Sequence, residues 1–102
     1  MAEIKNALIM GAGVMGSAIA QVFGRNGISV CLVDRDDACI ERAKGLVEQD
    51  IRIQLENNVY DEDTAQKVRN SLSYAVTEEL EKVAPAADIV IECVFEKKEI
   101  KQ

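Results

Sequence analysis

The chain has 102 residues, 48% of them hydrophobic and 29% charged, with a formal net charge of −6. That composition belongs to a folded globular domain and excludes a disordered tail, while the length suits one small core. The acidic balance and the lack of any basic block argue against a general nucleic-acid or membrane-surface binder, which needs a positive face to meet phosphates.

The start, MAEIKNALIM, carries one lysine and an apolar run of a few residues before Gly11, too short for a signal-peptide core or a membrane span. A cytoplasmic chain is expected. Ala7 to Met10 reads as a first strand. From Val14 to Asn26, the apolar residues Met15, Ala18, Ile19, Val22 and Phe23 recur at helical spacing and are expected to face inward, with Asn26-Gly27 as the left-handed stop. Ser29 to Val33 is a second strand. Asp36 or Asp37 can cap a second helix that runs to about Glu56 with Ile40, Ala43, Val47 and Ile51 inward; Gly45 within it costs about 1 kcal/mol relative to alanine.

Asn57 to Asp63 is polar and turn-like, and Glu62 to Ser71 reads as a short helix with Ala65 and Val68 inward. Ser73 to Val76 is a third strand, Thr77 a cap for a short helix TEELEKV, and Pro85, the sole proline, helps to end it. ADIVIECVF, residues 87–95, is a nearly continuous apolar run patterned for a strand buried on both faces. Strands alternating with helices predict an α/β domain on a parallel sheet.

Gly11-Ala12-Gly13-Val14-Met15-Gly16 is a G-x-G-x-x-G motif lying between the first strand and the first helix, the context in which it binds a dinucleotide. Gly11 permits the tight turn, Gly13 lets backbone approach a pyrophosphate, and Gly16 lets the helix pack close to the strand. Free amides at the helix start, with the positive end of its dipole, would face the phosphates. Asp34 ends the second strand 18 residues after Gly16, near the roughly 20-residue spacing of the acid that holds an adenosine ribose. Its carboxylate accepts from a 2′-hydroxyl and repels a 2′-phosphate, which favours NAD over NADP; Arg35 beside it is expected to be solvated. The fold expected is a Rossmann-type doubly wound parallel sheet, incomplete, with four strands in the order 3-2-1-4.

Cys31, Cys39 and Cys93 show no metal-ligand spacing and no disulfide framework, and read as small core residues. With no histidine in the chain, a catalytic thiol lacks its usual base. No catalytic residue and no metal ligand is assigned.

The segments IMGAGVMGSAIAQVFGRNGISVCLVDRD and ADIVIECVFEKKEIKQ resemble the NAD-binding domain of the 3-hydroxyacyl-CoA dehydrogenases, a family that includes 3-hydroxybutyryl-CoA enzymes. The resemblance spans nearly the whole chain, and the apolar strand leading into ECVFE, with a lysine five residues on, is its more specific part. It implies that Met15 and the loop backbone lie against NAD and that Asp34 holds the adenine ribose. It further implies that Val94, Phe95 and Glu96 lie along the nicotinamide half, with Lys101 reaching back to it. Glu92 is a weaker candidate, since an acid at a strand end can simply cap backbone amides.

The family's reaction, by the same resemblance, passes hydride between a (3S)-3-hydroxyacyl-CoA and NAD in fatty-acid β-oxidation or butanoate metabolism. A histidine paired with a glutamate serves as base, with serine and asparagine residues holding the substrate. Those roles find no residue here, and the family's coenzyme A contacts do not map onto Asp50 and Asn57. The expectation is therefore a single NAD-binding domain over residues 1–102, without the substrate part and the C-terminal helical domain, able to bind NAD but not to turn over acyl-CoA alone. A homodimeric parent is expected, and the chain itself is expected to self-associate through strand four, which the order 3-2-1-4 leaves at an edge despite its buried pattern. Two other readings remain at this stage. One is the NAD-binding domain of a β-hydroxyacid or 6-phosphogluconate-type dehydrogenase, and the other is a stand-alone, non-catalytic NAD-sensing module.

Overall fold

A computed structural model describes residues 4–11 and 13–93. The elements in chain order are β1 (Asn6–Met10), α1 (Val14–Arg25), β2 (Ser29–Asp34), α2 (Asp37–Glu56), α3 (Glu62–Ser71), β3 (Leu72–Val76), α4 (Leu80–Val83) and β4 (Ile89–Glu92), with single 3-10 turns on either side of α4. All strand pairs are parallel and the sheet order is β3-β2-β1-β4, the Rossmann-type doubly wound arrangement expected. Strand ends move by one residue against the sequence reading. β4 spans only four of the nine residues assigned to it, and Val94 and Phe95 lie outside the described residues.

The inner strands β1 and β2 are apolar because both their faces are covered. On one face Ala7, Ile9, Val30 and Leu32 pack with Ala20 of α1 and Ala43 of α2. On the other, Leu8, Val33 and Ala75 pack with Leu80, Val83, Ala84 and Ala87 of the short α4 region. A satellite cluster joins Val47 and Ile51 of α2 to Tyr60 and to Ala65 and Val68 of α3. The inward positions assigned to α2 and α3 are all buried.

The inward face assigned to α1 is corrected. Its buried residues are Gly16, Ser17, Ala20, Gln21 and Gly24; Ile19 and Phe23 are half-buried, Ala18 is exposed, and Met15 and Val22 are 65% and 44% exposed. Gly16, Ala20 and Gly24 recur every fourth residue and make a strip of minimal side chains, so α1 sits closer to β1 and α3 than bulky residues would allow. A Cβ on Gly24 would stand 3.4 Å from the Cβ of Ser71. Hydrophobicity therefore misjudged the orientation where proximity, rather than apolar area, set the packing.

Gln21 is buried and fully engaged. The Tyr60 hydroxyl donates to its Oε1 at 3.0 Å, and its Nε2 donates to Asp50 Oδ2 at 2.7 Å, tying α1, α2 and the loop before α3 together. Asp50 thus has a structural partner within this domain.

Two further readings change. Thr77 does not cap the following turn: the Val76 amide donates to Glu79 Oε1 at 3.1 Å, while Thr77 Oγ1 donates to the Asp34 carbonyl at 3.1 Å. The stretch TEELEKV is correspondingly a 3-10 turn (Thr77–Glu79) followed by one α-helical turn. β4 is not buried on both faces. Ile89 and Ile91 pack against the α1-side core, but Val90 is 52% exposed, because α4 is too short to reach beyond β1 on that face. Asn26 and Gly27 do end α1, with Gly27 at φ +82.

Asp36 proves to be the cap of α2, accepting from the Cys39 amide at 2.9 Å, and Asp61 caps α3 through the Thr64 amide at 2.8 Å. Asp88 accepts from the amides of Lys5 and Asn6 at 2.8 and 2.9 Å and so anchors the entry to β1. Amide donation from Cys39, Thr64, and Lys5 with Asn6, respectively, holds the three carboxyls below their usual range. A depressed folded pKa adds stability that is complete above the ordinary carboxylate range near pH 4 and is lost as pH falls through that range toward the folded values. Thermal melts from pH 6 to pH 2 should therefore show Tm falling mainly below about pH 4, and Asp36→Asn, Asp61→Asn and Asp88→Asn together should flatten that fall.

Candidate functional site

The site begins at the carboxyl ends of β1 and β2. Gly11 follows β1 at φ +98, a left-handed conformation that glycine adopts without strain, and its amide donates to the Val33 carbonyl at 2.8 Å. The loop is thereby pinned to the end of β2, beside Asp34. Gly13 then serves as the N-cap of α1 with no side chain satisfying the helix, and the first turn carries no acidic residue. The first amides of a 12-residue helix lie at its positive end, where intrahelical acceptors are lacking.

Gly16 closes the unit. A Cβ built there would collide with the carbonyl oxygen of Gly11 and lie 3.4 Å from the Ile9 side chain, so the loop folds back onto the helix only because position 16 has no side chain. Gly13 has nothing within 4 Å of the space a Cβ would take, leaving its outer side open to a ligand. Val14 and Met15, which begin the helix, are exposed.

Asp34 ends β2 and is half-buried; its Oδ1 accepts from the Arg35 amide at 2.7 Å. Thr77, just after β3, donates to the Asp34 carbonyl at 3.1 Å, which fixes the backbone there. One open crevice of about 390 Å³ joins these parts: Met10, Gly11, Gly13, Val33 and Asp34 line it together with Arg35, Cys39, Arg42, Thr77 and Cys93. It lies across the carboxyl ends of the strands, mainly those of β1 and β2, and reaches Cys93 just beyond β4, on the side of β1 where the strand order reverses.

Of the residues assigned from sequence, Gly11, Gly13 and Asp34 line one crevice, Val14 and Met15 stand at its helix start, and Gly16 supports it from behind. Ala12, Val94, Phe95, Glu96 and Lys101 lie outside the described residues. Glu92 is exposed at the end of β4 and does not line the crevice. Besides Met10, Val33 and Arg35, which adjoin assigned residues in the chain, the crevice residues that sequence reasoning did not bring to this site are Arg42, Thr77, Cys39 and Cys93. Only their position in the folded sheet marks them, since no spacing connects them to the glycines. Cys39 is buried in the first turn of α2, where the Asp36 carboxylate beside it keeps the thiol protonated. Among the described residues, no group of three or more His, Cys, Asp or Glu side chains is placed to hold a metal ion, and no helix is long and apolar enough to cross a membrane.

Comparison with known proteins gives a consistent result. The family model described as "3-hydroxyacyl-CoA dehydrogenase, NAD binding domain" matches residues 6–102. A probable 3-hydroxyacyl-CoA dehydrogenase of Caenorhabditis elegans is 31% identical over 104 residues, covering 100% of this chain and 35% of its own. The mitochondrial hydroxyacyl-coenzyme A dehydrogenase of Sus scrofa is 27% identical over 96% of this chain and 32% of its own. Among solved structures, (S)-3-hydroxybutyryl-CoA dehydrogenase from Ralstonia eutropha superposes with a TM-score of 0.81 at 27% identity, over 97% of this chain and 34% of that one. The chain thus spans about a third of the length of the relatives it matches.

Proposed function

Because the chain belongs to the 3-hydroxyacyl-CoA dehydrogenase family, as its NAD-binding domain, we propose that it holds the dinucleotide for hydride transfer between a (3S)-3-hydroxyacyl-CoA and NAD. NAD is the cofactor of this domain. The observation that carries the site assignment is the single crevice shared by Gly11, Gly13 and Asp34. The residues fit the group: Gly13 leaves open the space a side chain would fill, and Gly16 lets the loop fold tightly onto α1. When bound, NAD supplies the hydride acceptor.

The chain's own residues bind and orient. Amides of the loop and the first turn of α1 receive the diphosphate without help from a lysine, because a helix start offers unpaired donors and a favourable dipole. The Asp34 carboxylate takes the ribose hydroxyls, and its negative charge disfavours a phosphate on the same sugar. Met15, exposed at the helix start, covers one side of the cofactor, and Ala12 belongs to the same loop. Val94, Phe95, Glu96 and Lys101 are assigned to the nicotinamide half on the family resemblance alone.

Proton abstraction from a hydroxyl needs a base near neutral pKa, and this chain contains no histidine. The domain over residues 1–102 is therefore proposed to bind NAD without turning over acyl-CoA by itself. Titrating the 102-residue chain with NADH, then adding acetoacetyl-CoA, should give binding and no oxidation of NADH; sustained turnover would refute the assignment of all chemistry to other parts of such an enzyme.

A second copy is the proposed partner of β4. In parallel register with β1, and with the Cys93 amide donating to the Met10 carbonyl, the main-chain groups of Val90 turn to the outer edge, and Val90 is itself exposed. Sedimentation across a hundredfold concentration range should show association that Val90→Lys reduces, and a strictly monomeric profile would count against it.

A further inference from the structure

The carboxylate assigned to the ribose stands at a strand end, where a backbone is freest to swing. Two flanking segments restrain it. β2 lies between β1 and β3, and successive carbonyls along a strand point to opposite neighbours. At its last two residues the Val33 carbonyl accepts from the Gly11 amide at 2.8 Å on the β1 side, and the Asp34 carbonyl accepts from Thr77 Oγ1 at 3.1 Å on the β3 side. We propose that Thr77 is a positioning residue for cofactor binding: its hydroxyl, the counterpart of the Gly11 amide, sets where the Asp34 carboxylate stands relative to the glycine loop. The inference rests on the assignment of Asp34 to the ribose.

The ladder between β2 and β3 ends at the pairing of Asp34 with Val76. Beyond it both chains turn away. The Val76 amide donates to Glu79 Oε1 at 3.1 Å, and Thr77–Glu79 form a 3-10 turn. On the other strand, Arg35 leads straight into the Asp36 cap of α2. Thr77 therefore bridges the two chains at the point where they part, joining residues 43 positions apart. Asp34 Oδ1 is tied to the following amide at 2.7 Å, so the carboxylate turns with its own backbone. A shift of the Asp34 carbonyl carries the acid with it.

Thr77 is exposed, so water competes for this bond and its loss costs the fold little. Binding is less forgiving, because a hydrogen bond weakens steeply once donor and acceptor are misaligned. Thr77 also lines the crevice with Asp34, which makes a direct touch on the ligand the rival account. The two differ in what happens when the Asp34 carboxylate is removed.

NADH titrations of the 102-residue chain, followed by nucleotide fluorescence, compare wild type, Thr77→Val, Thr77→Ser, Asp34→Ala and the double variant Asp34→Ala/Thr77→Val. Thr77→Val, which keeps the branched shape and loses the hydroxyl, should weaken NADH about threefold to tenfold. Its Tm should stay within about 4 °C of wild type. Thr77→Ser, which keeps the hydroxyl, should bind within about twofold of wild type. In the Asp34→Ala background, Thr77→Val should change affinity by less than about twofold, because the hydroxyl acts through the carboxylate. Wild-type affinity in Thr77→Val overturns the proposal. An equal loss with and without Asp34 also overturns it and marks a direct contact; a loss shared by Thr77→Ser, or a collapse of Tm, overturns it as a structural role. Should Thr77→Val fail to fold, Thr77→Ala takes its place in the same cycle, and failure of both marks the structural role. A folded wild type that binds no NADH, or Asp34→Ala binding it as wild type does, sinks the assignment of the crevice itself, a result distinct from Asp34-dependent binding that is indifferent to Thr77.

Discussion

Gly16→Ala should lower NADH affinity about tenfold or more, the equivalent of about 1.4 kcal/mol or more, and should destabilise the fold by about 1–3 kcal/mol. The new methyl group would collide with the carbonyl oxygen of Gly11, and backbone cannot move aside as the end of a flexible side chain can. Relief requires either α1 to lift from β1 or the loop to shift away from the end of β2, where the Gly11 amide is bonded to Val33. Either movement disperses the amides proposed to receive the diphosphate. Denaturant unfolding and an NADH titration, both done where the variant remains folded, check the two effects separately. Gly45→Ala is the internal control: a Cβ there meets nothing within 4 Å, so replacing a glycine in the interior of α2 should raise stability by about 0.5–1 kcal/mol and leave binding unchanged. If Gly16→Ala behaved like Gly45→Ala, the tight fold-back of the glycine loop would not matter to function.

Leu32→Ala should cost about 2–5 kcal/mol of stability while leaving the site's chemistry in place. Leu32 is fully buried in β2, packed with Ile9, Val30, Ala20 and Ala43 where α1 and α2 meet the sheet. Small domains hold about 5–15 kcal/mol in total, so this loss would lower Tm by roughly 10 °C or more and leave some chains unfolded at 37 °C. The folded fraction should still bind NADH within a few-fold of wild type, because Asp34 two residues on keeps its carbonyl tied to Thr77 and its carboxylate tied to the Arg35 amide. Thermal melts followed by circular dichroism, with and without saturating NADH, test this. A cost well under 1 kcal/mol would mean that this junction is loosely packed. Together the two substitutions separate residues that shape the crevice from those that merely hold the sheet.

Much of this domain is legible in its sequence, and the reason is local. The strand-glycine-helix unit, the stop at Asn26-Gly27 and the acid-capped starts of α2 and α3 each depend on one residue's own conformational preference or on a side chain reaching an amide three residues away. The buried stripes of α2 and α3 follow from hydrophobic period, because these helices pack by apolar area. Period fails on α1, where Gly16, Ala20 and Gly24 face inward and Met15 and Val22 do not. Helix-to-sheet distance governs that face, and distance is a property of two elements at once.

The amino-acid order alone determined the glycine turn, the acid at position 34, the parallel α/β class and the absence of a histidine base, each through short-range geometry or composition. Only the tertiary structure decided which residues share the crevice. Arg42 and Thr77 reach it from α2 and β3 because parallel strands align their carboxyl ends. The same assembly turned Gln21 into a buried partner of Tyr60, a pairing between residues 39 positions apart. Such contacts arise when the sheet brings distant segments together, and no pattern within one segment can encode them.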